Sequence, residues 1–214
     1  PKSAGENPFF TQWDTPFGVP PFDKIRAEHF MPAFERGMSL HDAEIDAITS
    51  NNDEPTFENT ILAYDNAGQM LAQTELIFGM LCAAETNERM QALQEQVMPL
   101  LSAHRDKIRL DEKLFARVKD VYDRRASLGL DAEQSRLLRK TYDAFVRSGA
   151  LLDAGQKARL KEINGELSLT AVKFGNNILA ENNNFALELT ADDLEGLPSG
   201  VRDAAREKAQ AMGK

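Results

Sequence analysis

The chain has 214 residues, of which 42% are hydrophobic, and this is enough for one large domain or two small ones. Its net charge of −9, from 25 basic and 34 acidic residues, argues against a nucleic-acid partner, which would require a basic face. The single cysteine, Cys82, excludes an intrachain disulfide. No run of 18 apolar residues occurs, so the sequence predicts no membrane span.

Residues 1–22 predict an extended arm. Prolines at positions 8, 16, 20 and 21 disfavour a helix, and the aromatic residues indicate a segment that lies against a folded body. An alternative is a strip that binds peptides. The polar stretch from Pro1 to Asn7 is typical of a spacer that follows a removed export signal or lipid anchor, and equally of an artificial start. Localisation therefore stays open, with the cell envelope or periplasm favoured over the cytoplasm.

Residues 23–182 predict a domain of long helices packed side by side, because apolar residues recur at spacings of three and four. A first helix begins near Glu28, and a second is predicted to run unbroken from Thr56 to about Ala84. Side chains suited to capping begin the next four helices, and the last of these carries one apolar stripe. The four caps are Thr86, Asp111, Asp131 and Asp153, and the stripe is Leu160, Ile163, Leu167, Phe174 and Ile178.

Residues 183–214 predict a short strand over Phe185–Leu189, where apolar residues alternate, and a last helix from Ser199 toward Met212. The strand has no partner in the sequence, so its partner is expected in residues that follow Lys214. The predicted fold class is therefore all-α with one short strand near the C-terminus, continuing into a catalytic part outside this chain.

The residues that could carry chemistry do not form a metal motif. The three histidines are His29, His41 and His104, and no two of them are four residues apart. His29 follows Glu28 at a helix start, where a local hydrogen bond is expected, whereas the other two lie on apolar stripes and are expected to be core or boundary residues. Cys82 is expected to behave as a buried small hydrophobe. We therefore predict no catalytic, cofactor-binding or metal-binding residue in this chain.

Acidic residues occur in pairs, but each pair lies in a loop or at a helix start. A carboxylate at a helix start interacts favourably with the positive end of the helix dipole, which accounts for these residues without catalysis. Glu58 is interpreted in the same way. The pairs are Asp53/Glu54, Asp111/Glu112 and Asp192/Asp193.

Several segments resemble one enzyme family. Residues 55–61, PTFENTI, resemble the start of a long helix in the thimet oligopeptidase family of zinc metallopeptidases. Residues 22–38, FDKIRAEHFMPAFERGM, are similar to the first helix of that family, and residues 7–9, NPF, to its start. Residues 114–131, LFARVKDVYDRRASLGLD, resemble the bacterial peptidyl-dipeptidase (dipeptidyl carboxypeptidase) branch.

The resemblance implies a neurolysin-like N-terminal helical domain that forms part of the wall of a deep channel. In that family, zinc is held by an H-E-x-x-H helix, which would lie beyond Lys214. The full-length protein is then expected to bind zinc and remove C-terminal dipeptides from short peptides, whereas this chain alone would be inactive. Its partners would be peptide substrates and its own C-terminal catalytic domain. The alternatives are the same domain of an oligoendopeptidase and a stand-alone helical interaction module.

Overall fold

The computed structural model describes residues 7–190 and 192–213, and the regular structure in those residues is helical. A π-helix, Phe57–Leu62, leads directly into the second α-helix. The described residues contain no strand, and the prediction of an all-α fold is confirmed. The α-helices are α1 (Ala27–Thr49), α2 (Ala63–Asn66), α3 (Gln69–Ala84), α4 (Glu88–Arg109), α5 (Glu112–Asp123), α6 (Ala132–Arg147), α7 (Ala154–Asn184) and α8 (Ser199–Ala211).

The stretch behind the expectation about export falls mainly on residues 1–6, which lie outside the described residues. None of the described helices is both long enough and apolar enough to cross a membrane.

The start of the N-terminal arm packs on α1. Phe9 is buried, and its ring centroid lies 5.2 Å from that of Phe30. Asn7 Nδ2 donates a hydrogen bond to the carbonyl oxygen of His29 at 2.8 Å. Further along the arm, Phe17 is fully exposed and has a left-handed backbone with φ of 58°. The interpretation of the arm as a peptide-binding strip stays a prediction.

Side-chain caps begin several of the helices where the sequence indicated them. The carboxylates of Asp111, Asp131 and Asp153 each accept a hydrogen bond from a backbone N–H three residues further on, at 2.7–2.8 Å. The start of α4 differs by one residue, because Asn87 rather than Thr86 accepts the hydrogen bond from Met90 N. Local capping therefore sets the order and approximate starts of α4 to α7.

The predicted unbroken helix from Thr56 to Ala84 is wrong. The chain leaves the helical conformation at Ala67 and Gly68, and Gly68 has φ of +76°. Glycine is the residue that adopts this conformation without a steric penalty, so the break is built into the sequence at this position. Side chains of α1 hold the break, as described below.

Two apolar clusters form the core. One cluster is built on the first half of α1 with the arm, α3 and most of α4, and the other on the second half of α1 with the π-helix, α5 and α6. Aromatic rings at the centre of the first cluster, Phe30, Phe34 and Phe78, lie within 6.4 Å of one another by centroid distance. Residues of the long helices α1 and α4 therefore contribute to both clusters.

The chain divides into two compact units, residues 1–176 and 177–214. The described part of the second unit holds the end of α7, a short 3₁₀ turn at Asp192–Leu194, and α8. The strand predicted over Phe185–Leu189 is not formed. A strand requires a neighbouring strand for its backbone ladder, and the described residues contain none.

Candidate functional site

A histidine pair links α1 and α4 between the two apolar clusters. His41 Nδ1 and His104 Nε2 are 3.1 Å apart, and the ring centroids are separated by 5.1 Å. His104 is buried, with 7% of its surface exposed, and His41 is half-buried. One ring nitrogen donates to the other, so the accepting nitrogen must be without a proton. Protonation of both rings on both nitrogens would break this hydrogen bond.

Charged side chains surround the pair on one side. Asp42 Oδ1 lies 3.7 Å from His104 Nδ1, and Asp42 Oδ2 accepts a hydrogen bond from Lys107 Nζ at 2.8 Å. Burial lowers the pKa of His41 and of His104, while the nearby carboxylates oppose this effect. The hydrogen bond to Asp42 raises the pKa of Lys107. Both histidines are therefore favoured in the neutral form, with Asp42 already paired to a lysine.

His41, together with Glu44, also holds the break between α2 and α3. Glu44 Oε2 accepts a hydrogen bond from the backbone N–H of Gly68 at 2.6 Å. A Cβ atom at position 68 would come within 2.9 Å of ring atoms of His41. Glycine is therefore required at position 68 for two reasons: the positive φ and the close approach of the His41 imidazole.

The histidines do not fit a zinc site. His29 accepts a hydrogen bond from Arg26 N through Nδ1 at 3.1 Å, the local hydrogen bond expected at a helix start. Since His29 and His41 are twelve residues apart on one helix, about 18 Å separates them along its axis. Within residues 7–190 and 192–213, no group of three or more His, Cys, Asp or Glu side chains could hold a metal ion. We therefore derive no catalytic step from these residues.

Cys82 lies on α3, half-buried beside the first apolar cluster. Burial raises the pKa of its thiol, which disfavours the reactive thiolate at neutral pH. This placement agrees with the interpretation of Cys82 as a packing residue.

The PTFENTI segment, the most specific family motif in the sequence, has a structural role in this chain. Thr56 and Asn59 form a reciprocal capping box, in which Asn59 N donates to Thr56 Oγ1 at 3.1 Å and Thr56 N donates to Asn59 Oδ1 at 2.8 Å. Phe57, Thr60 and Ile61 are buried, which anchors the same turn in the second apolar cluster. The motif thus fixes the start of the π-helix from both its polar and its apolar sides.

Arg117 of α5 and Arg124, which follows α5, bind this turn through hydrogen bonds. Arg117, which is buried, donates from Nη1 to the carbonyl oxygens of Asn51 and Asp53 at 2.7 and 3.2 Å, and from Nη2 to Asn59 Oδ1 at 3.1 Å. Arg124 donates to Glu54 Oε1 at 2.6 Å and to the carbonyl oxygen of Pro55. We call Arg117 and Arg124, with residues 51–59, the arginine clasp.

Sequence reasoning did not find the histidine pair or the arginine clasp. The contacting residues are 63 positions apart in the pair and 58 to 70 apart in the clasp. One signal was available for the pair, because His41 and His104 each interrupt an otherwise apolar stripe of a helix. No signal in a single sequence connects Arg117 to Asn59.

Comparison with known proteins assigns the chain to a family. It is 39% identical to the dipeptidyl carboxypeptidase of Escherichia coli over 207 residues, which is 94% of this chain and 30% of that protein. The identity to the dipeptidyl carboxypeptidase of Salmonella typhimurium is 37% over 210 residues, covering 97% of this chain and 31% of the relative. Oligopeptidase A of Escherichia coli is 25% identical over 198 residues, covering 92% and 29%.

The chain belongs to the thimet oligopeptidase family and corresponds to one part of such a protein. It spans about 30% of the length of the curated relatives that it matches. No protein-family model matches the chain.

Proposed function

We propose that this chain is the N-terminal, non-catalytic channel-wall domain of a zinc peptidyl-dipeptidase that removes C-terminal dipeptides from short peptides. The observation that carries the proposal is the match to the two dipeptidyl carboxypeptidases, which extends over at least 94% of this chain at 37–39% identity. Identity to oligopeptidase A is lower, at 25%, which favours the dipeptidase branch over an oligoendopeptidase.

The architecture supports a wall rather than a reaction centre. The two imidazoles of the histidine pair bind each other, and the terminal guanidinium nitrogens of Arg117 bind backbone carbonyl oxygens and Asn59, so these contacts hold helices together. The zinc site and the residues that activate water are proposed to lie in the remainder of the full-length protein. Peptide substrates and this catalytic part are the proposed partners, and an envelope or periplasmic location is proposed from the polar N-terminal stretch.

The test compares the full-length protein with the 214-residue chain. Each is incubated with a tetrapeptide blocked at its N-terminus, and products are followed by mass spectrometry with and without a chelator. We expect the full-length protein to release the C-terminal dipeptide, to lose activity with chelator, and to regain it when zinc is added back. We expect no turnover by the 214-residue chain.

Two outcomes would overturn parts of the proposal. Internal cleavage of longer peptides by the full-length protein, without dipeptide release, would favour the oligoendopeptidase. Turnover by the purified 214-residue chain would contradict the assignment of a non-catalytic domain. The interaction-module alternative would be supported if the gene encoded no H-E-x-x-H motif.

A further inference from the structure

Helix α7 carries apolar side chains on two different faces. One face packs within the first unit, where Val172 is buried and Asn164 Nδ2 donates a hydrogen bond to Asp106 Oδ1 of α4 at 2.8 Å. The other face carries Ile163, Leu167 and Phe174, which are 44%, 63% and 65% exposed. We call these three residues the open face of α7.

The open face is a continuous surface feature rather than scattered exposure. At 100° per residue, Leu167 and Phe174 lie within about 40° of Ile163 around the helix axis, and the three residues span about 16 Å along it. The packed residues Asn164 and Val172 lie about 100° and 180° around from Ile163. A helix that is apolar on opposite sides is typical of one buried between two layers, and only one of those layers is formed by the described part of the first unit.

Charged side chains separate the two apolar faces on the remaining side of the helix. Glu162 and Glu166 lie about 260° and 300° around from Ile163, and Arg159 pairs with Glu162 at 2.8 Å. The open face is therefore bordered by a polar edge, the pattern of a defined interaction surface with a rim.

We propose that the open face of α7 is covered by the remainder of the full-length polypeptide, through an apolar surface of one or more of its helices. About 70% of the length of each of these two relatives lies outside the matched part, and a corresponding remainder would supply the covering segment within the same molecule. An occupant on the same polypeptide is present at a high effective concentration, which favours it over a second copy of the chain. This inference rests on the proposal that the chain is one domain of a longer enzyme.

The test is hydroxyl-radical footprinting of the full-length protein, read out residue by residue with tandem mass spectrometry. Leu151 is a matched control for Leu167, because it is the same residue type, is 62% exposed in this unit and lies outside α7. We expect the oxidation rate of Leu167 to be at least about tenfold below that of Leu151 in the full-length protein. Phe174 is expected to be protected in parallel.

A pair of variants gives an independent measurement. In the full-length protein, L167Q should lower the thermal midpoint and speed proteolysis between this domain and the remainder, whereas L151Q should leave both unchanged. Equal oxidation of Leu167 and Leu151 would overturn the proposal. So would protection that appears only at high protein concentration with a doubled mass, because a second copy would then be the occupant. A gene that encodes no further residues would also overturn it.

Peptidase activity of the same preparation is measured in parallel, so that the two proposals can fail separately. Active enzyme with an unprotected Leu167 would overturn only the docking of α7. Protected Leu167 in a protein without peptidase activity would overturn only the proposed function.

Discussion

The His41–His104 pair makes stability depend on pH in a defined window. Burial lowers the pKa of both histidines in the folded chain below the ordinary value of 6.5, whereas the unfolded chain titrates near that value. As the pH falls below about 6.5, the unfolded state binds more protons than the folded state. The stabilisation is therefore fully present above about pH 6.5 and is lost as the pH falls through the lowered folded-state pKa values.

The size of the effect has an upper limit. A histidine that stays neutral in the folded state while the unfolded chain is protonated changes the unfolding free energy by about 1.4 kcal/mol per pH unit, so two would give about 2.8. The carboxylate of Asp42 and the partial exposure of His41 reduce this value. We therefore expect the unfolding free energy to fall with pH below about pH 6.5, with a slope smaller than this limit. His104 should carry the larger share, since only 5% of its side chain is exposed.

The assay is urea unfolding of the chain followed by far-UV circular dichroism between about pH 5.5 and 7.5, where ordinary carboxyl groups are already ionised. The variant H104Q removes the ring with the larger share but retains an amide near His41, so the slope should fall by more than half. H29Q is the control, because it leaves both members of the pair in place and should keep the wild-type slope. An unchanged slope in H104Q would refute the assignment of the pH dependence to the pair.

The remaining predictions concern the glycine break and the arginine clasp. Gly68→Ala should destabilise the chain by about 2–3 kcal/mol in urea unfolding, because it adds a clash with His41 to the strain of a positive φ. The control Gly129→Ala, at φ +64° with no atom within 4 Å of the added Cβ, should cost only about 1 kcal/mol. Equal costs would contradict the close approach of the imidazole. Arg117→Met should cost about 2–4 kcal/mol of unfolding free energy through the loss of charged hydrogen bonds. The exposed control Arg136→Met should cost less than about 0.5 kcal/mol. Similar urea midpoints for the two variants would contradict the structural role of the clasp.

Features set by neighbouring residues could be predicted from the sequence. The caps Asp111, Asp131 and Asp153 act over three residues, and the apolar positions of α4 to α6 repeat with the helical period. Both kinds of signal are contained within a single helix. The order of the helices and most of the buried positions in these elements followed from them.

Features set by distant residues could not be predicted. The break at Gly68 depends on His41 and Glu44, which lie 27 and 24 residues earlier on α1. Most of the apolar stripe predicted for α7 is exposed, because periodicity does not say which of two apolar faces of a helix the rest of the chain covers. The strand over Phe185–Leu189 failed for the same reason, since alternation alone cannot supply a partner strand.

The segment that resembles the family most specifically has a structural role in this chain. In PTFENTI, Thr56 and Asn59 are occupied by the capping box, and Phe57 and Ile61 by the core. Arg117, on another helix, adds a constraint on Asn59 that a change to another polar residue would break. A motif can thus be specific because several contacts converge on it, without any of its side chains touching a substrate. Such a motif identifies the fold of the domain and carries no argument about a reaction.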